Sequence, residues 1–309
     1  MAPFNLSELR AQRIIAGCMR IEELTDKELQ SFYDTARTQG IDYFDHADAY
    51  GTSPHACEAR FAQGLKLSPV QREEIILQTK CGIIKDPLFR FDFSYEHIVE
   101  TVNDSLKALN TDYIDVLLLH RPDPLVEPEE VARAFDELSA QGKVQHFGVS
   151  NHTPGQVEWL KTCVTQPLVA NQMQLSITEA QMIATGMTAN MGHTDQAIQR
   201  HDDILTYSQL NDIQLQAWSP MQKGFFEGVF IDDPELPALN AELQNLADKY
   251  GVTKEGIATA WILRHPAHMQ VVSGTTTPKR LEMMAAGTRM RLERLEWWQL
   301  FHSAGHLVP

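Results

Sequence analysis

Short apolar segments alternate with longer amphipathic segments along almost the whole chain, and this alternation restricts the fold more than any other feature. Each short segment is mostly hydrophobic, as expected of a strand that is covered on both faces. Parallel strands need a crossover connection, usually a helix, so the alternation favours a parallel sheet. The predicted strands span residues 13–18, 42–45, 75–80, 113–120, 144–149, 168–172, 214–218 and 270–272.

The amphipathic segments between these strands predict the helices. They span residues 26–38, 55–67, 95–109, 128–141, 153–163, 202–210, 238–250 with 254–265, and 278–286. Ser94 stands in an N-cap position, and Gly142 and Gly251 stand where a left-handed C-cap favours glycine. Eight strands that alternate with helices predict an α/β fold, a parallel (β/α)8 TIM barrel that occupies residues 1–309 as a single domain.

A doubly wound open sheet is the alternative fold for the same alternation. Such a sheet, when it binds a dinucleotide, normally carries G-x-G-x-x-G directly after its first strand. Only Gly17-Cys18-Met19 occupies that place here, which weakens the alternative.

Two segments depart from a bare barrel. The long β6–α6 segment, residues 176–200, is either a functional loop or, over residues 179–189, a surface helix with its methionines on an apolar face. Residues 293–309 predict a C-terminal helix and tail. Leu295, Trp298, Leu300 and Phe301 are expected on one side of that helix.

Charge and hydropathy exclude several classes of partner. With 26 Lys+Arg against 41 Asp+Glu, the net charge of −15 disfavours nucleic acid and anionic membrane surfaces, and an anionic ligand would need a local basic pocket. No apolar run approaches the ~20 residues of a membrane helix, and no secretory signal is recognisable, so we expect a cytoplasmic protein. The four cysteines form no metal-binding or disulfide pattern, which predicts free thiols and no metal site.

Polar residues stand at the carboxyl ends of the predicted strands, where active sites of barrel enzymes lie. These strand ends are Asp45, Lys80, His120, Ser150-Asn151, Asn171-Gln172, Trp218-Ser219 and residues 273–277. Each could have a plain structural role as a turn cap, a paired charge or a hydrogen-bonded core residue. Their occurrence on adjacent strand ends favours a catalytic role for the set.

Tyr50, just beyond the second strand, is a candidate acid–base residue that needs assistance, since a free tyrosine titrates near ~10. An ammonium at Lys80 would lower the pKa of the phenol, and Asp45 would hold that ammonium. His120 would orient a substrate oxygen toward Tyr50, an arrangement that suits carbonyl reduction.

These residues lie in motifs that resemble the aldo-keto reductase family. The motifs are Asp45-His46-Ala47-Asp48-Ala49-Tyr50-Gly51 with Cys57-Glu58, Gln78-Thr79-Lys80, the run from Ile114 to His120, the run from Gly142 to Asn151, and Ala217-Trp218-Ser219-Pro220. The resemblance covers essentially the whole chain. The stretches 120–124 and 146–151 are most similar to the bacterial YdhF-like oxidoreductase branch.

The resemblance implies an NADPH-dependent reductase of a small-molecule aldehyde or ketone, with NADH less favoured. Its catalytic tetrad would be Asp45, Tyr50, Lys80 and His120, with Tyr50 as the proton donor. Ser150, Asn151 and Gln172 would hold the nicotinamide carboxamide, and Trp218 would stack on the ring. The phosphates would be bound by Ser219, Pro220, Met221 and Gly224, with Lys223 as a nearby cation, and by Ser273, Gly274 and Thr275 at a helix start.

The expected ligand of the adenosine 2′-phosphate is Arg280. Gly274 departs from the family pattern, because many members carry a lysine there, and Lys279 is the candidate replacement cation. This departure weakens the preference for NADPH over NADH.

Two other functions fit the same residues. A nicotinamide-binding regulatory protein would keep the site with negligible turnover, and a Schiff-base aldolase would need Lys80 to be neutral. Substrate is expected to be selected by loops near Met19, by residues 89–93 and 176–200, and by the short tail, around a fairly open pocket. Arg121 and Asp123 either line the rim of this pocket or pair with each other.

Overall fold

The computed structural model describes residues 4–309, and eight of its strands form a closed, all-parallel barrel. The strands in chain order are β1 (Ile14–Gly17), β2 (Tyr43–Asp45), β3 (Ile76–Cys81), β4 (Ile83–Ile84), β5 (Arg90–Phe91), β6 (Ile114–Leu119), β7 (Val144–Ser150), β8 (Leu168–Gln174), β9 (Gln214–Trp218) and β10 (Gln270–Ser273). The barrel order is β1-β10-β9-β8-β7-β6-β3-β2, while β4 and β5 pair as a separate antiparallel hairpin. The predicted TIM barrel is therefore confirmed.

Helices cover the outside of this barrel. They are α1 (Leu6–Ala11), α2 (Asp26–Thr38), α3 (Ala56–Leu65), α4 (Pro69–Glu73), α5 (Tyr95–Leu109), α6 (Pro128–Ala140), α7 (Pro154–Leu160), α8 (Gln181–Met187), α9 (Ile204–Leu210), α10 (Pro237–Tyr250), α11 (Lys254–Leu263), α12 (Pro278–Ala286) and α13 (Arg294–Ser303). Single 3-10 turns occupy Asp195–Ala197 and Gly287–Arg289. The sequence patterns did not predict α1, α4 or the β4–β5 hairpin, because these elements are too short to show a period.

The predicted helix caps are present. The Ser94 side chain accepts a hydrogen bond from the His97 N–H at the start of α5. Gly142 and Gly251 have φ values of 69° and 65°, the left-handed conformation in which a side chain is disfavoured. These local signals therefore set where α5, α6 and α10 begin or end.

One end of the barrel is closed by the chain itself. Leu9 of α1 packs into the apolar cluster inside the barrel, which includes Ile15, Tyr43 and Val116. The Gln270 side-chain N–H group donates to the carbonyls of Leu9 and Gln12, at 2.7 and 2.8 Å. Because α1 covers the amino-terminal end, the carboxyl ends of the strands form the open mouth.

The 176–200 segment contains helix α8, so the helical alternative is correct for its centre. Met182 is buried, and Met187 packs against the core. The tail lies against this segment, with the His306 imidazole nitrogen Nε2 2.6 Å from the carbonyl oxygen of Ile177. The C-terminal tail and the 176–200 segment therefore pack against each other beside the barrel.

The expected apolar side of the C-terminal helix is partly wrong. Leu300 and Phe301 of α13 are buried, but Leu295 is 67% exposed and Trp297 is buried in its place. Trp297 stacks on Trp261 of α11 with ring centroids 5.0 Å apart, and each indole N–H donates to the other residue's carbonyl. Trp297 is buried because it faces Trp261, and the helical period of the sequence alone does not show this contact.

Within residues 4–309, no helix has the length and apolar character that crossing a bilayer requires.

Candidate active site

The side chains of Asp45, Tyr50 and Lys80 meet at the mouth of the barrel. Lys80 Nζ lies 2.8 and 2.7 Å from the two carboxylate oxygens of Asp45 and 2.9 Å from the Tyr50 hydroxyl. It also donates to the His46 carbonyl oxygen at 2.8 Å. Asp45 ends β2 and Lys80 lies near the end of the neighbouring β3, so adjacent parallel strands bring these groups together.

Lys80 is a charged ammonium although it is completely buried. Burial by itself lowers the pKa of Lys80, but the Asp45 carboxylate and Tyr50 raise it by a larger amount. The net pKa of Lys80 therefore lies above its ordinary value. A buried charge of this kind persists only when it is paired and hydrogen-bonded, as Lys80 is here.

The net shift of Tyr50 is opposite to the one expected from sequence. Burial raises the pKa of Tyr50 above its ordinary value, and the lowering effect of Lys80 does not cancel it. The sequence shows the nearby Lys80 cation but not the burial of Tyr50, and burial raises the pKa because it penalises the charged phenolate. Tyr50 is therefore a protonated phenol at neutral pH, with a cation 2.9 Å from its oxygen.

His120 completes the group of four. Its ring lies at right angles to that of Tyr50, with centroids 5.7 Å apart. Burial, together with the nearby Lys80, Arg121 and Lys85 cations, holds the pKa of His120 well below its usual value. The imidazole is therefore neutral at neutral pH and has one N–H to donate.

Beneath these residues, a glutamine network that sequence reasoning missed fills the barrel interior. Gln78 and Gln172 both donate to Asp45 Oδ1, at 2.5 and 3.2 Å, and both donate to Gln216 Oε1. Gln216 donates in turn to Gln270 at 3.2 Å. Gln78 and Lys80 are two residues apart on β3, so strand alternation was the available signal that both point inward.

A second buried polar cluster lies behind the loop that carries Tyr50. Glu58 accepts hydrogen bonds from the hydroxyls of Thr79 and Ser105 and lies 2.6 Å from His55 Nδ1. Asp48 is 4% exposed, and its Oδ1 has no partner among the described residues. Burial and the neighbouring Glu58 carboxylate raise the pKa of Asp48 to about 7.

Replacing Asp48 with asparagine is expected to stabilise the protein at alkaline pH. The folded protein retains the Asp48 proton up to about pH 7, whereas the unfolded chain loses it near 3.8. Stability is therefore lost as the pH rises through this window. Asp48→Asn removes the loss and should raise the free energy of unfolding by on the order of 3 kcal/mol near pH 8, and by less near pH 5.

Denaturant unfolding of both proteins at the two pH values measures this difference. Asp112→Asn makes the same change at an exposed position and should show no pH-dependent gain. An Asp48→Asn variant that is no more stable than the wild type near pH 8 would contradict the buried, protonated carboxyl.

Of the residues expected to hold the nicotinamide carboxamide, Ser150 and Asn151 lie at the mouth, whereas the Gln172 side chain bonds to Asp45 and Gln216 in the network beneath it. The Ser150 hydroxyl donates to the Gln172 carbonyl at 3.0 Å, and the Asn151 amide donates to Ser150 Oγ at 2.8 Å and to the His120 carbonyl at 3.3 Å. The Trp218 indole N–H donates to Asn151 Oδ1 at 3.0 Å. These bonds fix the Asn151 and Trp218 side chains beside His120.

Backbone strain marks two of the same positions. Asn151 and Ser219 have φ values of 61° and 52°, in the left-handed region that non-glycine residues rarely adopt. Such strain concentrates at functional sites. Pro220, Met221 and Gly224 follow in the same turn, but Lys223 pairs with Asp233 and Glu235 at 2.6 and 3.0 Å. The predicted role of Lys223 as a cation near the phosphates therefore competes with two carboxylates that already neutralise its ammonium.

The residues proposed for the other phosphates and the 2′-phosphate surround the start of α12. Ser273 ends β10, Gly274 and Thr275 follow it, and Arg280 lies exposed in the first turns of α12. The Thr277 side chain makes no cap hydrogen bond, so the first N–H groups of α12 have no side-chain acceptor there. Gly17 of β1 packs so closely that a Cβ would lie 2.4 Å from the Ser273 carbonyl oxygen.

A cation that the sequence did not point to lies beside Gly274. Arg20, in the loop after β1, donates from Nη1 to the Gly274 carbonyl at 2.7 Å. Lys279, the candidate replacement cation, is exposed and pairs with Glu282 at 3.6 Å. Because Arg20 is distant in sequence from Gly274, only the closed barrel reveals their proximity.

All four cysteines are free thiols, as the sequence predicted. Cys81, next to Lys80, is completely buried, and burial raises its pKa well above the ordinary value. A protonated, inaccessible thiol is unreactive, so Cys81 is a packing residue.

Comparison with known proteins identifies the family. The family model described as "Aldo/keto reductase family" matches residues 13–298. The chain is 34% identical to the uncharacterized oxidoreductase YcsN of Bacillus subtilis, over 98% of this chain and 97% of that protein. It is 32% identical to a 6-dehydroglucose reductase of Agrobacterium fabrum, over 95% and 94% of the two chains, and 31% identical to the oxidoreductase YdhF of Escherichia coli, over 96% and 95%.

Among solved structures, the thermostable aldo-keto reductase Tm1743 superimposes with a TM-score of 0.72. The match covers 94% of each chain at 21% identity, and at this identity it supports the shared fold alone.

Proposed function

Because this chain belongs to the aldo/keto reductase family of oxidoreductases, we propose that it is an NADPH-dependent enzyme that reduces the carbonyl group of an aldehyde or ketone, with Tyr50 as the proton donor. The observation that carries the proposal is the Lys80 ammonium bonded at once to Asp45 and to the Tyr50 hydroxyl at the barrel mouth. The reverse reaction oxidises the corresponding alcohol.

The protein's part in this reaction is to supply a proton and stabilise the charge that remains. When bound, the reduced nicotinamide supplies the hydride. The carbonyl oxygen accepts the proton of the Tyr50 hydroxyl as it gains negative charge. The Lys80 ammonium stabilises the resulting phenolate. Neutral His120, held edge-on to Tyr50, donates a hydrogen bond that orients the carbonyl oxygen.

The surroundings of α12 fit a dinucleotide carrying a 2′-phosphate. The N–H groups at the start of α12 have no side-chain cap and suit an anion. No residue in the described part of the chain forms a hydrogen bond or an ion pair with the Arg280 guanidinium. Arg20 adds a second guanidinium beside Gly274, where many relatives carry a lysine. We therefore assign the 2′-phosphate to Arg280 and the neighbouring phosphate oxygens to Arg20 and the Ser273–Thr275 turn.

A spectrophotometric assay of NADPH oxidation with a panel of aldehydes and ketones tests the proposal. Steady turnover of at least one carbonyl class supports it. Tight NADPH binding without turnover of any carbonyl or alcohol would instead favour a cofactor-binding regulatory protein. A Schiff-base aldolase is disfavoured by the raised pKa of Lys80, since only a neutral amine attacks a carbonyl.

Replacing Arg280 with methionine is expected to reduce the preference for NADPH over NADH. Loss of a charge-assisted hydrogen bond to the 2′-phosphate should weaken NADPH binding by ~10- to 100-fold and leave NADH binding nearly unchanged. Isothermal titration with both cofactors measures the two affinities.

Lys279→Met is the matched control, because it removes a cation from the same helical turn. It should alter neither affinity by more than a few-fold, since Lys279 is exposed and pairs with Glu282. Equal weakening of NADPH and NADH binding in Arg280→Met would contradict the 2′-phosphate role.

A further inference from the structure

Arg121 is a partly buried cation at the barrel mouth that has no hydrogen-bond or ion-pair partner among the described residues. Of the arginines in residues 4–309, those without a hydrogen bond or ion pair are Arg121, Arg200, Arg280, Arg291 and Arg294. All of them except Arg121 are exposed to solvent. A guanidinium that is withdrawn from water and left unpaired is energetically unfavourable, so its retention suggests a ligand.

Asp123 does not neutralise this cation, although it lies two residues away. Its Oδ2 accepts the Phe93 N–H at 3.0 Å and its Oδ1 accepts the Leu125 N–H at 2.9 Å, which fixes the loop after β6. Of the two arrangements open from sequence, pairing of Arg121 with Asp123 is therefore wrong. Arg121 instead borders the mouth.

The position of Arg121 places its charge beside the proposed reaction centre. It directly follows His120, and its guanidinium carbon lies 5.7 Å from the centroid of the Trp218 ring. Burial lowers the pKa of Arg121, and within residues 4–309 no carboxylate lies close enough to oppose this effect. Trp218 supports the guanidinium by a cation–π contact but offers no hydrogen-bond acceptor on that face.

A second cation strengthens the local field. Lys85, at the start of the β4–β5 connection, donates to the Gly51 carbonyl at 3.0 Å and adds to the positive charge felt by His120. The Lys80 charge is compensated by Asp45, and Lys85 lies close enough to the Glu22 carboxylate to help lower its pKa. In a chain with a net charge of −15, Arg121 is thus the cation at the described mouth that no carboxylate neutralises, and it supplies the local positive charge that an anionic ligand requires.

We propose that Arg121 binds a carboxylate on the substrate, so that the preferred substrates are carbonyl compounds that carry a carboxylate on the same carbon chain. This inference rests on the proposed function. The planar guanidinium presents paired N–H donors that match a carboxylate, and it would hold the carbonyl end of the molecule toward Tyr50 and His120. Arg121 is a substrate-binding residue in this scheme and takes no part in proton transfer.

Succinic semialdehyde and butanal test the inference, because they share a carbon chain and differ in the carboxylate. With NADPH, the wild type should show a kcat/KM at least ~10-fold higher for succinic semialdehyde. Arg121→Met should raise the KM for succinic semialdehyde by ~10- to 100-fold, with kcat and the constants for butanal changed only a few-fold. Arg121→Lys should retain part of the preference, and Arg291→Met, at an exposed position, should retain all of it.

The other outcomes separate this inference from the proposed function. Turnover of both aldehydes with no preference for the acid, or an equal loss on both in Arg121→Met, would overturn the carboxylate assignment and leave the reductase intact. A preference for glyceraldehyde over succinic semialdehyde that disappears in Arg121→Met would overturn it in favour of a neutral polyhydroxylated substrate. Absence of turnover with every carbonyl would remove the proposed function, and this inference with it.

Discussion

Tyr50→Phe is expected to lower carbonyl turnover by ~10²- to 10⁴-fold, the range that a positioned general acid contributes. The substitution removes the hydroxyl that Lys80 contacts at 2.9 Å and keeps the ring that packs edge-on against His120. The proton must then come from water, without a stabilised conjugate base beside the carbonyl oxygen. NADPH binding should change little, because Tyr50 is not among the residues assigned to the cofactor.

Turnover and NADPH affinity should be measured together on this variant. A fall in kcat at unchanged cofactor affinity separates loss of the proton donor from a damaged site. Tyr33→Phe, which removes a buried phenol on α2 that stacks on Phe44, is the control and should keep its activity. Tyr50→Phe with wild-type turnover would show that the proton reaches the substrate by another route.

Lys80→Met is expected to impair both activity and stability. Lys80 is completely buried, so its removal leaves the Asp45 carboxylate in the barrel interior with only glutamine donors. Breaking a buried ion pair by deleting one partner typically costs about 3–5 kcal/mol. Because Asp45 can escape the unpaired charge by binding a proton, the loss in free energy of unfolding should shrink as the pH falls.

A double-mutant cycle tests this explanation. Asp45→Asn combined with Lys80→Met removes both charges and should be more stable near neutral pH than Lys80→Met alone. Lys27→Met, at an exposed position on α2, controls for the loss of one cation. If Lys80→Met unfolds at the same denaturant concentration as the wild type, the ion pair does not stabilise the fold as argued.

Predicting the fold from sequence succeeded where local patterns are strong. Helices α2, α5 and α12 begin and end at the predicted residues, because amphipathic period and end signals such as Ser94 are properties of the local chain. The short α1 and the β4–β5 hairpin carry no such period. Tertiary packing alone determines them. Helix α1 forms where it covers the amino-terminal end of the barrel, and the hairpin forms where Ile83 pairs with Phe91.

The candidate site shows the same division. The sequence by itself determined which residues stand at the strand ends, since strand alternation and chain order place Asp45, Lys80 and His120 at one rim of a parallel barrel. Only the tertiary structure decided that burial outweighs Lys80 in the pKa of Tyr50 and that Arg121 has no described hydrogen-bond or ion-pair partner. Burial, and contacts between residues far apart in the chain, depend on every neighbouring element at once, and no local pattern of residues encodes them.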